Sequence, residues 1–433
     1  MSPDYLDFLN DLGLFKIKLG LQNIQNLLGR LNHPQHHPRI IHIAGTNGKG
    51  STLVTLESLL IESGYSTGSF ISPCLHEFNE YFRINGKTPG DDEIESAFQE
   101  ICSVCGIHPK EKDNPTKKAD LIPTHFEFVF AISLLLFRKA KVDFVLLETG
   151  LGGLTDATNV IEHPLATVLT HISYDHQEFL GETLEEITRQ KLGIVKKGSP
   201  LFVAQQSETV SKIIQQALNE QDLQVYRNPN DFNITENPDG MVFQFKESAV
   251  PDAVLLRSKG LTGDHQWENI STALAMYFSV ADHSNRLNPD QINECIGKVS
   301  WPGRLQYVKN GKVLLDGAHN QSAMGVLFDY LRKYHREQRI LMVIGWLDNK
   351  NPISEQTMRD ISNITFQPIL FRFNAAESAD KKRDALFNIS DKIRPFQISS
   401  QYFNAEFQND LADFDLIVVS GSLHLIGEYS RFQ

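Results

Sequence analysis

The stretch Ile40-Ile41-His42-Ile43-Ala44-Gly45-Thr46-Asn47-Gly48-Lys49-Gly50-Ser51-Thr52 constrains the fold more than any other: an apolar run breaks into glycines, then a lysine and two hydroxyls. That order reads as a strand, a phosphate loop and a helix that opens near Ser51 and runs to about Ser63. The glycines let the backbone turn tightly and aim N–H groups at an anion, and the helix adds the positive end of its dipole. Lys49 can then reach the terminal phosphates of a nucleotide, and Ser51 or Thr52 can offer an oxygen to Mg²⁺. The usual P-loop has a glycine four residues before its Gly-Lys pair and Ser or Thr directly after it. Ile43 and Gly50 stand at those places, so the plain pattern fails. Taken alone, the stretch is also compatible with a glycine-rich turn carrying a surface lysine.

A chain of 433 residues exceeds what one core usually holds, so two domains are expected. At 41% hydrophobic and 22% charged residues it reads as an ordinary globular protein. Its net charge of −12 argues against a nucleic-acid partner, so an anionic substrate must be held by a few local cations and metal ions. The segment Met1-Ser2-Pro3-Asp4-Tyr5 has no long apolar core, and no apolar run is long enough to cross a bilayer. Four cysteines are too few for a disulfide framework, and the expected compartment is the cytoplasm. The single pair Cys102/Cys105 is read as lying on a helix rather than binding zinc.

Residues 4–32 read as a helix with Leu21, Ile24, Leu28 and Leu31 on one stripe. His33, His36 and His37 follow in a solvated loop. Ser66 to Ile71 reads as a strand that delivers Ser72 to the edge where ligands of open parallel sheets gather. The loop after it, through Gly86, is read as a flap over that site, and residues 108–123, with three prolines, as a mobile excursion. Thr124 caps a helix to about Lys139, and the strand Val142 to Glu148 ends in a carboxylate. A second glycine-rich loop, Gly150 to Asn159, leads to a strand from Ala166 to Thr170 and to Ser173-Tyr174-Asp175-His176. Thr183 then caps a helix containing Arg189, Lys191 and Lys196, and residues 225–260 alternate like an antiparallel extension. Repeated strand, loop and helix units with polar strand ends indicate a doubly wound α/β domain over 1–298. A second, smaller Rossmann-like α/β series over 299–433 has strands Val313 to Asp316, Ile340 to Ile344 and Leu416 to Ser420, with Gly345-Trp346-Leu347-Asp348-Asn349-Lys350 after the second.

The ordered motifs resemble the Mur ligase superfamily and, within it, the folylpolyglutamate synthase and dihydrofolate synthase family. They are the loop Gly45 to Ser51, Ser72-Pro73, Phe126-Glu127-Phe128, Glu148-Thr149-Gly150-Leu151-Gly152-Gly153, Asp156-Ala157-Thr158-Asn159, Asp175-His176, Lys191-Leu192-Gly193-Ile194, His265-Gln266 with Asn269, Trp301-Pro302-Gly303-Arg304 and Asp316-Gly317-Ala318-His319-Asn320. The resemblance includes the Gly50 that breaks the ordinary P-loop pattern. It implies a P-loop-type ATPase domain followed by a C-terminal domain, in Mur ligase architecture, whose closure completes the site. It also implies an ATP-dependent amide ligase: a folate carboxylate attacks the γ-phosphate, and the glutamate amine displaces phosphate from the acyl phosphate. Carried over by position, Thr46, Asn47, Gly48, Lys49, Gly50, Ser51, Asn269, Arg304 and Asp316 would bind ATP, with His319 beside the last two. Ser51, Ser72 and Glu148 would serve Mg²⁺, and Glu148 with His176 would face a second ion. Lys191 matches a carbamylated lysine, a cation converted into a carboxylate-like ligand. A folate or dihydropteroate would sit near Thr124, His125, Phe126 and Glu127 and near Thr155, Asp156 and Ala157. The implied partners are small molecules, ATP, L-glutamate and the acceptor, with Mg²⁺ and room for a monovalent cation such as K⁺; no nucleic acid or membrane is expected, and the implied state is a monomer.

Three places depart from the family pattern. Leu154-Thr155 stands where an arginine and a leucine are usual, Cys74 to Phe82 has no arginine before Arg83, and the loop after Gly345 also differs. These departures keep two alternatives open, a Mur-type ligase acting on another carboxylate and an ATP-binding protein that ligates nothing.

Overall fold

The computed structural model describes residues 4–13, 20–109, 116, 119–219, 223–246, 253–346, 369–373, 393–395 and 407–430. They divide into two compact units. One comprises Met1–Ile172, Gln177–Gly260 and Trp267–Val299; the other comprises Ser173–His176, Leu261–Gln266 and Ser300–Gln433.

The first unit is built on β1 (Ile40–Ala44), β2 (Thr67–Phe70), β3 (Phe82–Ile84), β4 (Phe144–Glu148), β5 (Ala166–Leu169), β6 (Leu201–Val203) and β7 (Val225–Arg227). Their order is β3-β2-β4-β1-β5-β6-β7, parallel except for β3, which runs antiparallel to β2. All five residues of β1 are buried, as a central strand covered on both faces requires. The chain leaves β1 for one side of the sheet and reaches β5 on the other, so β1 sits at the switch point where open α/β sheets bind ligands. Register puts Ile43 level with Glu148 and Val168, so the loops after β1, β4 and β5 start at one edge.

An aromatic core supports that edge. The helix His125–Ala140 buries twelve of its residues, including Phe128, Phe130 and Phe137, as a helix packed on several sides must. Phe128 meets Phe8 and Phe98 at ring separations of 5.8 and 5.6 Å. Thr124 caps this helix reciprocally with Glu127, and Thr183 caps Leu184–Leu192 with Glu186 in the same way.

Several local expectations are corrected. The single helix expected over 4–32 is two helices, Asp4–Leu12 and Gln22–Arg30, with the stripe from Leu21 to Leu31 on the second; Gly13 takes a left-handed φ of 82° just past the first. Lys196 lies beyond the helix it was expected to share with Lys191. The expected flap after Ser72 instead returns as the edge strand β3, where Arg83 pairs with buried Glu57 at 2.8 Å. The antiparallel extension is β8 (Phe232–Asn237), β9 (Gly240–Phe245) and β10 (Val254–Leu256), whereas Val225–Arg227 joins the main sheet. Of the excursion at 108–123, residues 110–115 and 117–118 lie outside the described residues. Cys102 and Cys105 do sit on a helix, Asp91–Cys105; burial pushes their free thiols up to about 12 and about 11, so neither is a ready nucleophile.

The second unit has its own sheet of β11 (Gln306–Val308), β12 (Val313–Asp316), β13 (Ile340–Trp346), β14 (Ile369–Phe373), β15 (Ile393–Pro395) and β16 (Leu416–Ser420). The order is β11-β12-β16-β13-β14-β15, with only the β11 pairing antiparallel. The helix Gln321–Tyr334 buries Met324, Leu327, Phe328 and Leu331. Leu347 to Lys350, part of one departing loop, lie outside the described residues. Among the described residues, no helix is long and apolar enough to cross a membrane.

Phe128→Ala should lower the first unit's unfolding free energy by about 3–5 kcal/mol, the usual result of emptying a buried aromatic site. Urea unfolding followed by a probe in that unit would measure it, and a loss below about 1 kcal/mol would contradict this description of the core.

Candidate active site

The loop after β1 is shaped by close backbone contacts. A Cβ on Gly45 would stand 1.9 Å from Thr170 Oγ1, and one on Gly48, whose φ is 89°, would stand 2.3 Å from Asn269 Oδ1. Gly48 is the N-cap of the helix Lys49–Glu62, and neither a capping side chain nor an acidic residue occupies that first turn. The helix start thus presents amides and a positive dipole end without an acidic residue of its own first turn. Lys49 Nζ folds back on the loop, donating to Gly45 O at 3.2 Å and Thr46 O at 3.3 Å, and lies 3.7 Å from Glu148 Oε1. Glu148, 4% exposed at the end of β4, also accepts from Ser72 N at 3.3 Å. Lys191, equally buried, donates from Nζ to Gly45 O at 2.9 Å. Lys49, Ser72, Glu148, Lys191 and Asn269, far apart in sequence, therefore converge around one glycine loop.

The donor set suits an ion that arrives with phosphate. Mg²⁺ commonly takes one or two carboxylates and completes its shell with phosphate oxygens and water. Glu148, with the Ser51 and Ser72 hydroxyls as candidates, fits that arrangement, and among the described residues no cluster of three or more His, Cys, Asp or Glu forms a closed metal cage.

The loop after β4 adjoins this group. The ring of Phe126 covers Gly150, where a Cβ would meet Phe126 Cζ at 2.3 Å, and packs 5.7 Å from Phe70. Thr155 borders buried Ala157, which opens a 3-10 turn. Two carboxylates expected near an acceptor hold the backbone. Glu127 accepts from Thr124 N at 2.7 Å and Asn23 Nδ2 at 2.6 Å, and Asp156 accepts from Leu151 N at 2.8 Å and from Thr158 N and Oγ1 at 3.0 and 2.5 Å. Burial pushes the Asp156 carboxyl up, against the pull of those donors. Thr158 Oγ1 also lies 2.8 Å from Nε2 of fully buried His42. Burial, and secondarily the Lys196 charge, push His42 down to about 3, and burial pushes His125 down to about 4.

In the second unit, Asp316 ends β12 and accepts from Leu305 N at 2.9 Å and Ala318 N at 3.0 Å. Burial pushes its carboxyl up, opposed by the Arg304 guanidinium. His319 Nδ1 donates to Gly317 O at 2.8 Å, and its Nε2 lies 3.5 Å from Asp175 Oδ2. Asp175 also accepts from Asn320 Nδ2 at 3.1 Å, while its other oxygen accepts from the amide of His176, whose φ is 49°. Asp175 was expected only as part of a motif; the structure makes it the shared acceptor of this cluster. Its adjacency to His176 was the one sequence signal for it.

Comparison with known proteins identifies the family and the fold. A model of the Mur ligase middle domain matches residues 43–277, and one of the Mur ligase glutamate ligase domain matches residues 303–423. The dihydrofolate synthase/folylpolyglutamate synthase of Bacillus subtilis is 36% identical over 346 residues, covering 78% of this chain and 77% of the relative. The structure of Escherichia coli FolC in complex with DHPP and ADP superposes with a TM-score of 0.81 at 26% identity, covering 99% of this chain and 97% of that one. The Yersinia pestis bifunctional folylpolyglutamate synthase/dihydrofolate synthase complexed with AMPPNP and Mn superposes at 0.80 with 27% identity, covering 100% and 98%. The chain belongs to the Mur ligases and, among them, to the dihydrofolate synthase/folylpolyglutamate synthase family.

The two buried histidines set a pH dependence. Their folded pKa values lie below the ordinary 6.5, so between pH 6.5 and about 4 the unfolded chain binds protons that they refuse. Stability is full above that window and falls as the pH drops through it, by up to about 1.4 kcal/mol per pH unit for each histidine. His125→Gln should flatten the slope of urea-unfolding free energy between about pH 6.5 and about pH 5 relative to wild type; an unchanged slope would contradict the burial of a neutral His125.

Proposed function

We propose that this chain uses ATP to join L-glutamate to the carboxylate of a pteroate-type acceptor, either dihydropteroate or a folate. The observation that carries the reading is the uncapped helix start at Gly48–Ser51, with Lys49, Glu148 and Lys191 gathered around it and the Gly150–Ala157 loop adjoining it. An acceptor carboxylate oxygen attacks the γ-phosphorus and ADP leaves, giving an acyl phosphate. The glutamate amine then attacks the acyl carbon, the C–O bond to phosphate breaks, and the nitrogen loses a proton. Both steps gather negative charge on oxygens, and preorganised amides and a nearby ammonium stabilise such charge strongly.

Thr46, Asn47, Gly48, Gly50 and Ser51 cradle the phosphates in this reading, Lys49 turns from its own loop carbonyls to the γ-phosphate, and Asn269 braces the turn at Gly48. Ser51, Ser72 and Glu148 hold Mg²⁺, which supplies Lewis-acid polarisation of the phosphate oxygens. Lys191 is the residue we assign to carbamylation: a carbamate retains an N–H for Gly45 O while gaining oxygens to face a metal. Arg304, Asp316 and His319 are assigned nucleotide-side roles and His176 a metal-side role. Thr124, His125, Phe126, Thr155 and Ala157 form the acceptor side, with Glu127 and Asp156 holding its loops. The protein acts as a cytoplasmic monomer, and exchange of K⁺ for a bulky organic cation tests a monovalent requirement.

A second reading, ligation to a different carboxylate, is favoured by Leu154, an apolar side chain 49% exposed beside the acceptor candidates. ADP release with Mg²⁺ and ATP, measured with glutamate plus tetrahydrofolate or glutamate plus dihydropteroate, separates the readings. Turnover with either acceptor supports the folate assignment, and ATP binding with no turnover on both favours the second reading. Lys49→Ala should lower kcat by about a hundredfold or more without unfolding the protein, the scale seen when a transition-state donor is removed. Retained turnover would remove Lys49 from the chemistry.

A further inference from the structure

Gln206 is half-buried, three residues past the end of β6, and has no part in the roles assigned so far. Backbone pairing of β5 with β6 ends there: Ala204 N donates to Leu169 O at 2.9 Å, and no later ladder pair joins the two strands. Thr170 N turns to Ala44 O at 2.8 Å on the β1 side, and beyond this break in the ladder the carboxamide of Gln206 takes up the backbone groups on the β6 side. Its Oε1 accepts from Ile172 N at 2.9 Å and its Nε2 donates to Thr170 O at 3.0 Å. In an extended chain, the carbonyl of one residue and the amide two residues later share an edge, while the groups of the residue between them face the other edge. Clamped from one side, this segment turns the His171 carbonyl to the opposite side. There it accepts from Thr46 N at 2.8 Å and Asn47 N at 3.1 Å.

We propose that Gln206 is a positioning residue for the nucleotide. It holds the 170–172 segment extended, which fixes the His171 carbonyl and, through two loop amides, the turn that leads into the helix Lys49–Glu62. The inference rests on the reading of that turn as the ATP loop. Two physical points support it. Thr170 Oγ1 lies 1.9 Å from where a Cβ of residue 45 would be, so displacement of this segment would be felt at Gly45 directly. The carboxamide offers the donor and the acceptor together, whereas glutamate in its ionised form keeps only the acceptor for Ile172 N and leucine keeps neither.

The test compares wild type, Gln206→Leu and Gln206→Glu. ADP and AMPPNP affinity is measured by calorimetry, KM for ATP and for the acceptor by initial rates, and folding by thermal melting. The leucine variant should weaken nucleotide binding about tenfold and the glutamate variant about threefold, as loss of two or one modest hydrogen bonds implies. KM for the acceptor should stay within about twofold of wild type, a split that general loosening of the fold would not produce. Nucleotide affinity unchanged in the leucine variant, or equal rises in both KM values, overturns the proposal. If the leucine variant does not fold, the glutamate variant decides: weakened ADP binding supports the proposal and wild-type affinity overturns it. Failure of wild type to bind either nucleotide is a different result, overturning the ATP reading itself.

Discussion

The structure of the first unit depends on how closely backbone approaches side chain at the carboxyl end of β1. Gly45 lies against Thr170 and Gly48 against Asn269 at distances no Cβ could tolerate. The loop is consequently fixed from two directions, by the end of β5 and by the start of the helix Gln266–Val280. A flexible glycine loop would lose ordering entropy on meeting phosphate. One held by its neighbours has lost much of it on folding, which is what a preorganised anion site requires. The aromatic core beneath β2 and β4 matters to function for the same reason, since those strands set the positions of Ser72 and Glu148.

Polar groups in this interior serve the loops more than the solvent boundary. His42 sits within β1, yet through Thr158 it reaches Asp156, whose carboxylate closes the loop that begins at Gly150. If the Thr158 hydroxyl donates to an ionised Asp156, His42 must donate from Nε2, and its Nδ1 then has no hydrogen-bond partner. Burial, which pushes this histidine well below its usual range, suits that neutral tautomer. The chain of bonds ties the central strand to the second glycine-rich loop without any charged group reaching the surface.

Much of this was legible in the sequence because strands of a parallel sheet are short apolar runs with polar residues where they stop. Ala44 before Gly45, Leu147 before Glu148 and Leu315 before Asp316 mark the three strand ends that matter, and the capping boxes at Thr124 and Thr183 are spelled out in four residues each. The family resemblance supplied the roles proposed for these residues, which no periodicity could. What sequence did not reveal depends on pairing across long separations. Nothing local in Phe82-Arg83-Ile84 says that it will return as an edge strand beside β2. Gln206 looks like any surface glutamine until the strand next to it runs out of backbone partners. Asp175 is ordinary in sequence, and its importance comes from two residues about 145 positions away.

On the proposed acceptor side, two of the candidate carboxylates are already occupied by their own fold. Glu127 and Asp156 were expected to face a substrate, but each carboxylate accepts several hydrogen bonds from its own fold, and redirecting either would leave buried amides unsatisfied. His125 is neutral and mostly enclosed. The candidate side chains left to meet a ligand are the Phe126 ring, the Thr155 hydroxyl and exposed Leu154, because Ala157 is buried in the core. That surface is apolar and weakly polar and carries no charge of its own. On the proposed function it would take the flat body of a pteridine, which binds by stacking and edge hydrogen bonds. It is ill suited to hold a carboxylate, so the reacting end of such an acceptor is expected to point the other way, toward Lys49 and the ions that accompany phosphate.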